Sequence, residues 1–200
     1  LGGAVDLLSS DRVDLRSLAN RIARETMEVW ETRVRQGQQA VVKSHQESFS
    51  VLARADVPVG NRSVPEYLAD LAKDENGGMR WTAVQALGEV GIPGSEVLRV
   101  LISRLGDENS DVREAAAEAA GQIRASDPVA VEALTERLTD EDSGVRGAAI
   151  EALGQIGPSD PVVTQTLTDR LDHHDSFARS QAAYALRRIG ASDPASVEAL

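Results

Sequence analysis

The strongest constraint on this chain is a segment that returns at a fixed interval. The nine residues from Leu105 to Arg113 recur in similar form 33 positions later, from Leu138 to Arg146. Looser copies run from Leu171 to Arg179 and, earlier in the chain, from Asp74 to Arg80. A period of this length is typical of stacked-repeat proteins, in which no single unit can bury its own apolar face. We therefore expect a row of similar units.

Two columns of apolar side chains keep the same interval. One consists of Leu68, Leu101, Leu134, Leu167 and Leu200, and the other of Ala72, Leu105, Leu138 and Leu171. Within a unit the two columns are four residues apart, so both side chains lie on one face of a helix. Burial of each leucine stabilises the fold by ~1.5–3 kcal/mol. We expect these first helices to join neighbouring units into one core.

Helix-start signals follow the period as well. Ser-Asp-Pro recurs at 126–128, 159–161 and 192–194, and a capping side chain followed by proline marks a helix start. A capping-box pattern lies at 63–66. The predicted N-caps of the second helices are Asn109, Asp142 and Asp175. The predicted units are 63–94, 95–127, 128–160 and 161–193, with a partial unit at 194–200 that indicates a piece of a longer array.

The second helix of each unit has two predicted faces. Positions 79, 83, 86, 87 and 90 and their counterparts are small or aliphatic and are expected to face the core. Gly88, Gly121 and Gly154 are expected to allow close helix approach. The opposite face, at i, i+4 and i+8 spacing, holds the candidate partner-binding residues Trp81, Gln85, Glu89, Glu114, Glu118, Gln122, Glu151, Gln155, Tyr184 and Arg188. They predict a groove that is acidic in its middle with an aromatic at each end, unless the rings only cover neighbouring helices.

An arginine recurs near the start of each second helix, at positions 80, 113, 146 and 179. One interpretation is a ladder that binds anions. The other is that each guanidinium pairs with an aspartate of an intra-unit turn, in its own unit or the next, and with turn carbonyls, because its planar fork satisfies two acceptors at once. Under the second interpretation His173, which replaces the aspartate, predicts the weakest link in the fourth unit.

Residues 1–62 do not follow the period and are predicted to be a separate, non-repeat helical segment. Apolar side chains at helical spacing, interleaved with charges, indicate an amphipathic helix over residues 12–35, and the apolar stripe continues to about Ala55. A loop is expected at 56–61. The segment is expected to be a helical hairpin or one long bent helix. It either caps the exposed end of the array or self-associates as a short coiled coil through residues 12–55.

The charge of the chain is unevenly distributed. The net charge is −11, yet residues 1–62 hold eight acidic and nine basic side chains, so the acidic excess lies in the repeats. An acidic array repels phosphate backbones, and we expect no nucleic-acid partner. The acidity reflects a cationic partner, a high-salt habitat or genomic base composition. No run has the length of a membrane span and the first residues lack the pattern of a signal peptide, so we expect a cytoplasmic protein without membrane contact.

Residues 63–200 resemble the short HEAT-like repeats found in phycobilin lyases and in many bacterial and archaeal proteins. The resemblance rests on the leucine-bearing first helix, the turn with Asp107 or Asp140, Val-Arg at 112–113 and 145–146, and Leu-Gly-Gln-Ile-Gly at 153–157. It implies an all-α fold, a right-handed α-α superhelix whose second helices line the concave side and usually bind a protein.

Residues suited to catalysis or metal binding do not form a recognisable pattern. The three histidines, His45, His173 and His174, are not spaced as a helical metal site, and neither a phosphate-binding glycine loop nor a nucleophile elbow is present. We expect no catalytic residues, no metal and no cofactor. The expected function is that of a non-catalytic scaffold or adaptor whose acidic groove binds a basic protein segment. The alternative, implied by the resemblance, is a phycobilin-lyase-like accessory subunit acting on a tetrapyrrole-carrying protein.

Overall fold

The regular structure is almost entirely helical. A computed structural model of the chain describes residues 3–36, 49–92, 94–157 and 160–190. The helices with defined bounds are α1 (Gly3–Arg35), α2 (Val64–Leu71), α3 (Gly77–Val90), α4 (Ser95–Arg104), α5 (Ser110–Gln122), α6 (Pro128–Glu136), α7 (Ser143–Ile156), α8 (Pro161–Asp169) and α9 (Ser176–Gly190). Residues 49–54 are also helical, and short 3₁₀ turns at Arg137–Thr139 and Arg170–Asp172 follow α6 and α8. Helices α2 to α9 follow one another as four successive helix pairs.

The predicted capping residues start these helices. Ser63 and Glu66 form a capping box at α2. The carboxylate of Asp142 accepts from the backbone N–H groups of Gly144 and Val145 at the start of α7, and Asp160 does the same at α8. Each cap satisfies backbone donors that have no partner within the helix. The period in the sequence is therefore a period of helix boundaries.

The leucine columns lie in the core. Leu68, Leu101, Leu134 and Leu167 are fully buried. In the second column Leu105 and Leu138 are buried, whereas Leu171 keeps some exposure. The predicted core positions of α3 are buried as well, namely Met79, Ala83, Ala86, Leu87 and Val90. Residue Leu200 and the partial unit at 194–200 lie outside the described residues.

Successive second helices approach one another very closely. A Cβ atom at Gly88 would lie 2.9 Å from the Cα of Ala119, and one at Gly121 would lie 2.8 Å from the Cα of Ala152. Gly154 differs, because its nearest neighbour across the interface is a side-chain atom of Ile189 at 3.9 Å. Helices α3, α5 and α7 also pack more extensively against one another than α2, α4 and α6 do. Over these three units the array therefore curves toward its second helices, and their free face forms the concave side.

The recurring arginines tie each unit to the next. Nε and Nη2 of Arg80 donate to the two carboxylate oxygens of Asp107 at 2.9 and 2.8 Å, while Nη1 donates to the carbonyl oxygens of Asp74 and Glu75. Arg113 repeats this arrangement one unit later. The aspartate thus belongs to the following unit and the carbonyls to the arginine's own unit. Because these buried guanidinium groups are already engaged, the anion-ladder interpretation is wrong for both arginines.

The fourth unit lacks the aspartate, as the sequence indicated. Nδ1 of His173 accepts a hydrogen bond from the backbone N–H of Asp175 at 3.2 Å, which reproduces the turn that Asp140 makes with the N–H of Asp142. Arg146 still donates to the carbonyls of its own turn. Within the described part of the chain, however, Arg146 forms no ion pair; its guanidinium lies 6.0 Å from the ring of Phe177.

The first helix is longer than the sequence indicated. Helix α1 begins at Gly3, not at residue 12, because the polar residues near position 10 do not interrupt it. Its buried side chains Ala23, Met27 and Trp30 belong to the same apolar core as the repeats, and the Trp30 ring meets Phe49 edge-on at 5.0 Å. The stretch 37–48, where the apolar stripe was predicted to continue, lies outside the described residues.

Polar contacts also hold α1 in place. The amide of Asn20 exchanges two hydrogen bonds with the backbone of Gly60 within the non-repeat segment. The hydroxyl of Tyr67, on α2 of the array, donates to Glu31. Desolvation, followed by the hydrogen bond to Glu31, raises the pKa of Tyr67. The expected loop at 56–61 is non-helical and holds the bridge between Val59 and Arg62. Among the described helices, none is long and apolar enough to cross a membrane.

Candidate functional site

The candidate residues all keep contact with solvent. Each of the ten predicted partner-binding side chains is either partly or fully exposed on α3, α5, α7 or α9. They occupy the face opposite the buried residues of these helices, as the i, i+4, i+8 spacing predicts. Four of them, one turn apart on two adjacent helices, line a groove of about 370 Å³ between α3 and α5: Trp81, Gln85, Glu114 and Glu118.

The groove extends farther toward the helix starts than the sequence indicated. Asn109 and Asp111 line its upper end together with Gly77 and Gly78. Asn109 was assigned only a capping role, which it does fill, since its side chain accepts from the N–H of Asp111. The sequence contains a signal for this extension of the groove. Two consecutive glycines leave the first turn of α3 without side chains that could close the groove.

Glu118, a carboxylate of the groove, has a raised pKa. Desolvation by the groove walls, then the negative charges of Glu114 and Glu151, raise the pKa of Glu118. Within the described residues, the side chains of Glu118 and Glu151 form no ion pair and no hydrogen bond. The two carboxylates occupy equivalent positions on α5 and α7, 33 residues apart. A cationic group bound between the two carboxylates would relieve their mutual repulsion.

Glu114 has a structural role beside its place in the groove. Its Oε2 atom lies 2.7 Å from the point that a Cβ on Gly144 would occupy, against the first turn of α7. Negative charge is favourable at a helix N-terminus. Glu118 and Glu151 have no such helix end beside them in the described structure, so they are the stronger candidates for contact with a partner.

Two glutamines repeat the same contact one unit apart. The Oε1 atom of Gln122 lies over Gly88, and that of Gln155 lies over Gly121, each within the space that a Cβ atom on the glycine would need. Both side chains are exposed. The glycines thus do more than allow helix approach, since they also seat an amide group at the edge of the concave face.

The two aromatic residues are not equivalent. Trp81 is half-buried and lines the groove, whereas Tyr184 is 39% exposed on α9, where the guanidinium of Arg187 lies 5.4 Å from its ring. Glu89 and Arg188 lie at the far ends of α3 and α9. The structure therefore brings four of the candidate residues, on α3 and α5, to one groove. It places Tyr184 and Arg188 on the last described helix, α9.

Metal-binding side chains are not clustered in the described structure. No group of three histidine or carboxylate side chains among the described residues could hold a metal ion. His173 and His174 stack on each other with ring centroids 4.2 Å apart in the turn before α9. The Nδ1 atom of His173 is already used as an acceptor within that turn.

Paired helices, a shared core and repeated interhelical ion pairs define an α-solenoid of short repeats. Comparison with protein families identifies which one: HEAT repeats match residues 50–121, 98–187 and 138–200. These segments together cover the array and the end of the preceding segment. The chain belongs to the HEAT-repeat family.

Solved structures with similar folds are repeat proteins as well. The structure of the Pds5–Scc1 complex matches with a TM-score of 0.58 at 16% identity, over 87% of this chain and 30% of that one. A designed armadillo repeat protein in complex with the peptide (KR)4 matches with a TM-score of 0.54 at 17% identity, over 88% of this chain and 90% of that one. At these identities the likeness concerns the fold, and it confirms the all-α repeat architecture.

A phycocyanin lyase structure is also similar. The complex of CpcE and CpcF from Nostoc sp. PCC7120 matches at 24% identity with a TM-score of 0.48, over 77% of this chain. This chain spans 62% of the length of that protein. A search of curated proteins finds no match.

Proposed function

We propose that this chain is a non-catalytic protein-binding scaffold whose concave face binds a basic segment of another protein. The observation that supports it best is the pair Glu118 and Glu151, two solvent-facing carboxylates on adjacent second helices that have no cationic partner within the described residues. A lysine or arginine side chain between them replaces repulsion by attraction. Charge complementarity of this kind mainly favours fast and selective association.

The aromatic ring at one end of the groove supplies the apolar part of the site. Trp81 is half-buried beside Gln85, and large rings that are partly desolvated before binding are frequent anchors in interfaces. Acidic carboxylates beside an apolar ring suit the side chains of lysine and arginine, which combine an apolar stem with a charged end. The groove is therefore matched to a basic segment better than to an acidic one.

A charge-reversal experiment tests this proposal. Glu118→Lys combined with Glu151→Lys should weaken binding of a fluorescently labelled arginine-containing peptide at least tenfold, measured by fluorescence anisotropy, with the circular dichroism spectrum unchanged. The matched control is Glu136→Lys, an exposed carboxylate on the first helix of its unit. If the double variant binds as tightly as the natural chain, the basic segment does not bind at Glu118 and Glu151.

We further infer that residues 1–62 serve as a cap on the array, with self-association as the competing role. The buried face of α1 packs into the common core through Met27 and Trp30. A second, exposed apolar stripe holds Leu18, Ile22 and Val29, between 40% and 51% exposed. Ile22→Asp should leave the molar mass measured by light scattering unchanged if the segment is only a cap. A dimer that this substitution dissociates would contradict the cap.

A further inference from the structure

The close contact of the second helices sets the spacing of the charges on the concave face. Backbone atoms of α3 and α5 meet at Gly88 and Ala119, and those of α5 and α7 at Gly121 and Ala152. Packed helices lie about 8–10 Å apart, with small contact residues favouring the lower values. Equivalent side chains on successive second helices, such as Glu118 and Glu151, are therefore spaced by about the same distance.

This spacing selects one kind of backbone over another. An extended or polyproline II chain rises about 3.1–3.3 Å per residue, so residues i and i+3 are about 9–10 Å apart, and in polyproline II they lie on the same side. An α-helix rises about 1.5 Å per residue, so it spans this distance only between residues i and i+6 or i+7. The sequence separation of two basic side chains that contact neighbouring carboxylates therefore depends on the conformation of the partner. It is about three residues for polyproline II and about six or seven for an α-helix.

The polarity of the concave face favours the extended chain. The exposed amides of Gln122 and Gln155 follow Glu118 and Glu151 by one helical turn, one in each unit. Amide groups can pair with the free N–H and C=O groups of an extended backbone, whereas a helix satisfies those groups internally.

We propose that the partner segment is an extended peptide with basic residues at positions i and i+3, lying across α5 and α7 with one basic side chain at Glu118 and the other at Glu151. This inference rests on the proposed function, because it names the conformation and the charge spacing of the same basic partner.

Three labelled dodecapeptides test the spacing by fluorescence anisotropy at low salt. The first has two arginines at i and i+3 separated by proline and serine, which excludes a helix. The second has the same composition with adjacent arginines, and the third is a helix-forming peptide with arginines at i and i+7. We expect the first peptide to bind at least fivefold tighter than either of the others.

Matched variants of the protein complete the test. Glu151→Gln should reduce the affinity of the i, i+3 peptide at least fivefold, whereas Glu136→Gln should leave it unchanged. Equal affinity for all three peptides, or tighter binding of the helical one, would overturn the proposed extended conformation with its i, i+3 spacing, but not the proposed binding of a basic segment. Absence of binding by every peptide would overturn both proposals.

Discussion

Arg113 donates two hydrogen bonds to Asp140 of the following unit, from Nε at 2.9 Å and from Nη2 at 2.8 Å. Its remaining nitrogen, Nη1, donates to the carbonyl oxygen of Asp107 at 2.9 Å. The side chains of Arg113 and Asp140 are only 7% and 4% exposed. One buried guanidinium therefore fixes the turn of the second unit to the turn of the third.

Removing the charge of Asp140 should destabilise the array strongly. Asp140→Asn leaves the buried guanidinium of Arg113 without its counter-charge, and breaking a buried pair in this way costs about 3–5 kcal/mol. Urea unfolding followed by circular dichroism measures the loss. The control is Glu141→Gln, since Glu141 is 90% exposed and lies 3.5 Å from the same guanidinium; a loss above about 1 kcal/mol there would contradict this account.

The same ion pairs make stability depend on pH. Burial raises the pKa of Asp107 and Asp140, but the hydrogen bonds from Arg80 or Arg113 and from the backbone outweigh it, so both values lie below the ordinary range. A depressed folded-state pKa contributes stability that is present above the unfolded value of about 3.9 and is lost as pH falls toward the folded value. Between pH 5 and 2 the free energy of unfolding should fall less steeply in Asp107→Asn with Asp140→Asn than in the natural chain. Parallel curves would show that other carboxylates control acid unfolding.

A carboxylate at position 173 should strengthen the junction between the third and fourth units. His173→Asp gives Arg146 the partner that Arg80 and Arg113 possess, and it retains an acceptor for the N–H of Asp175. A partly exposed charged pair of this kind adds about 1 kcal/mol, which raises Tm by about 2–4 °C in a chain of this size. His174→Asp, one residue further along the same turn, is the control and should bring no such gain in a thermal melt.

Glycine-to-alanine substitutions should have opposite signs at two positions of the second helices. Gly88→Ala places a methyl group 2.9 Å from the Cα of Ala119, so the helices must separate, at a cost of about 1–3 kcal/mol. Gly147→Ala meets no atom within 4 Å in the interior of α7, and alanine there should stabilise by about 0.5–1 kcal/mol. Chemical denaturation of both variants checks the pair. Stabilisation by the first substitution would mean that the interhelical distance is larger than described.

The leucine columns predict a large cavity effect at the centre of the array. Leu134 is fully buried on α6, in the third unit. Leu134→Ala should lower the free energy of unfolding by ~2–5 kcal/mol through loss of buried area and formation of a cavity. Leu171→Ala, at a partly exposed position of the second column, should cost less. Similar losses at both positions would contradict the difference in burial between Leu134 and Leu171.

Much of the architecture could be predicted from the sequence because its determinants are local and periodic. Caps such as Ser63 and Asp142 act within three residues, and the leucine columns follow from helical spacing. The direction of the arginine pairing remained open, since Asp74 and Asp107 are equally plausible partners for Arg80 by spacing alone. Only the packing of adjacent units places Asp107 at the guanidinium fork.

The candidate site was predictable in its face and less so in its extent. Helical spacing places Trp81 and Glu118 on the solvent side, and the structure brings them to one groove. The contact of Glu114 with the first turn of α7 depends on the offset between neighbouring helices, which the sequence of a single helix does not contain. The same offset places the amides of Gln122 and Gln155 over glycines of the preceding unit.

Asp74 stands in the column of Asp107 and Asp140, but its partner comes from outside the repeats. Nη2 of Arg35, at the end of α1, donates to its carboxylate at 2.7 Å, and this bond, with that from the N–H of Asn76, holds the pKa of Asp74 low. The non-repeat helix thus supplies the guanidinium that a preceding unit would otherwise contribute. At that edge, the acceptor that the arginine of a second solenoid would need is already occupied from within the same chain, which disfavours head-to-tail docking through the arginine–aspartate contact.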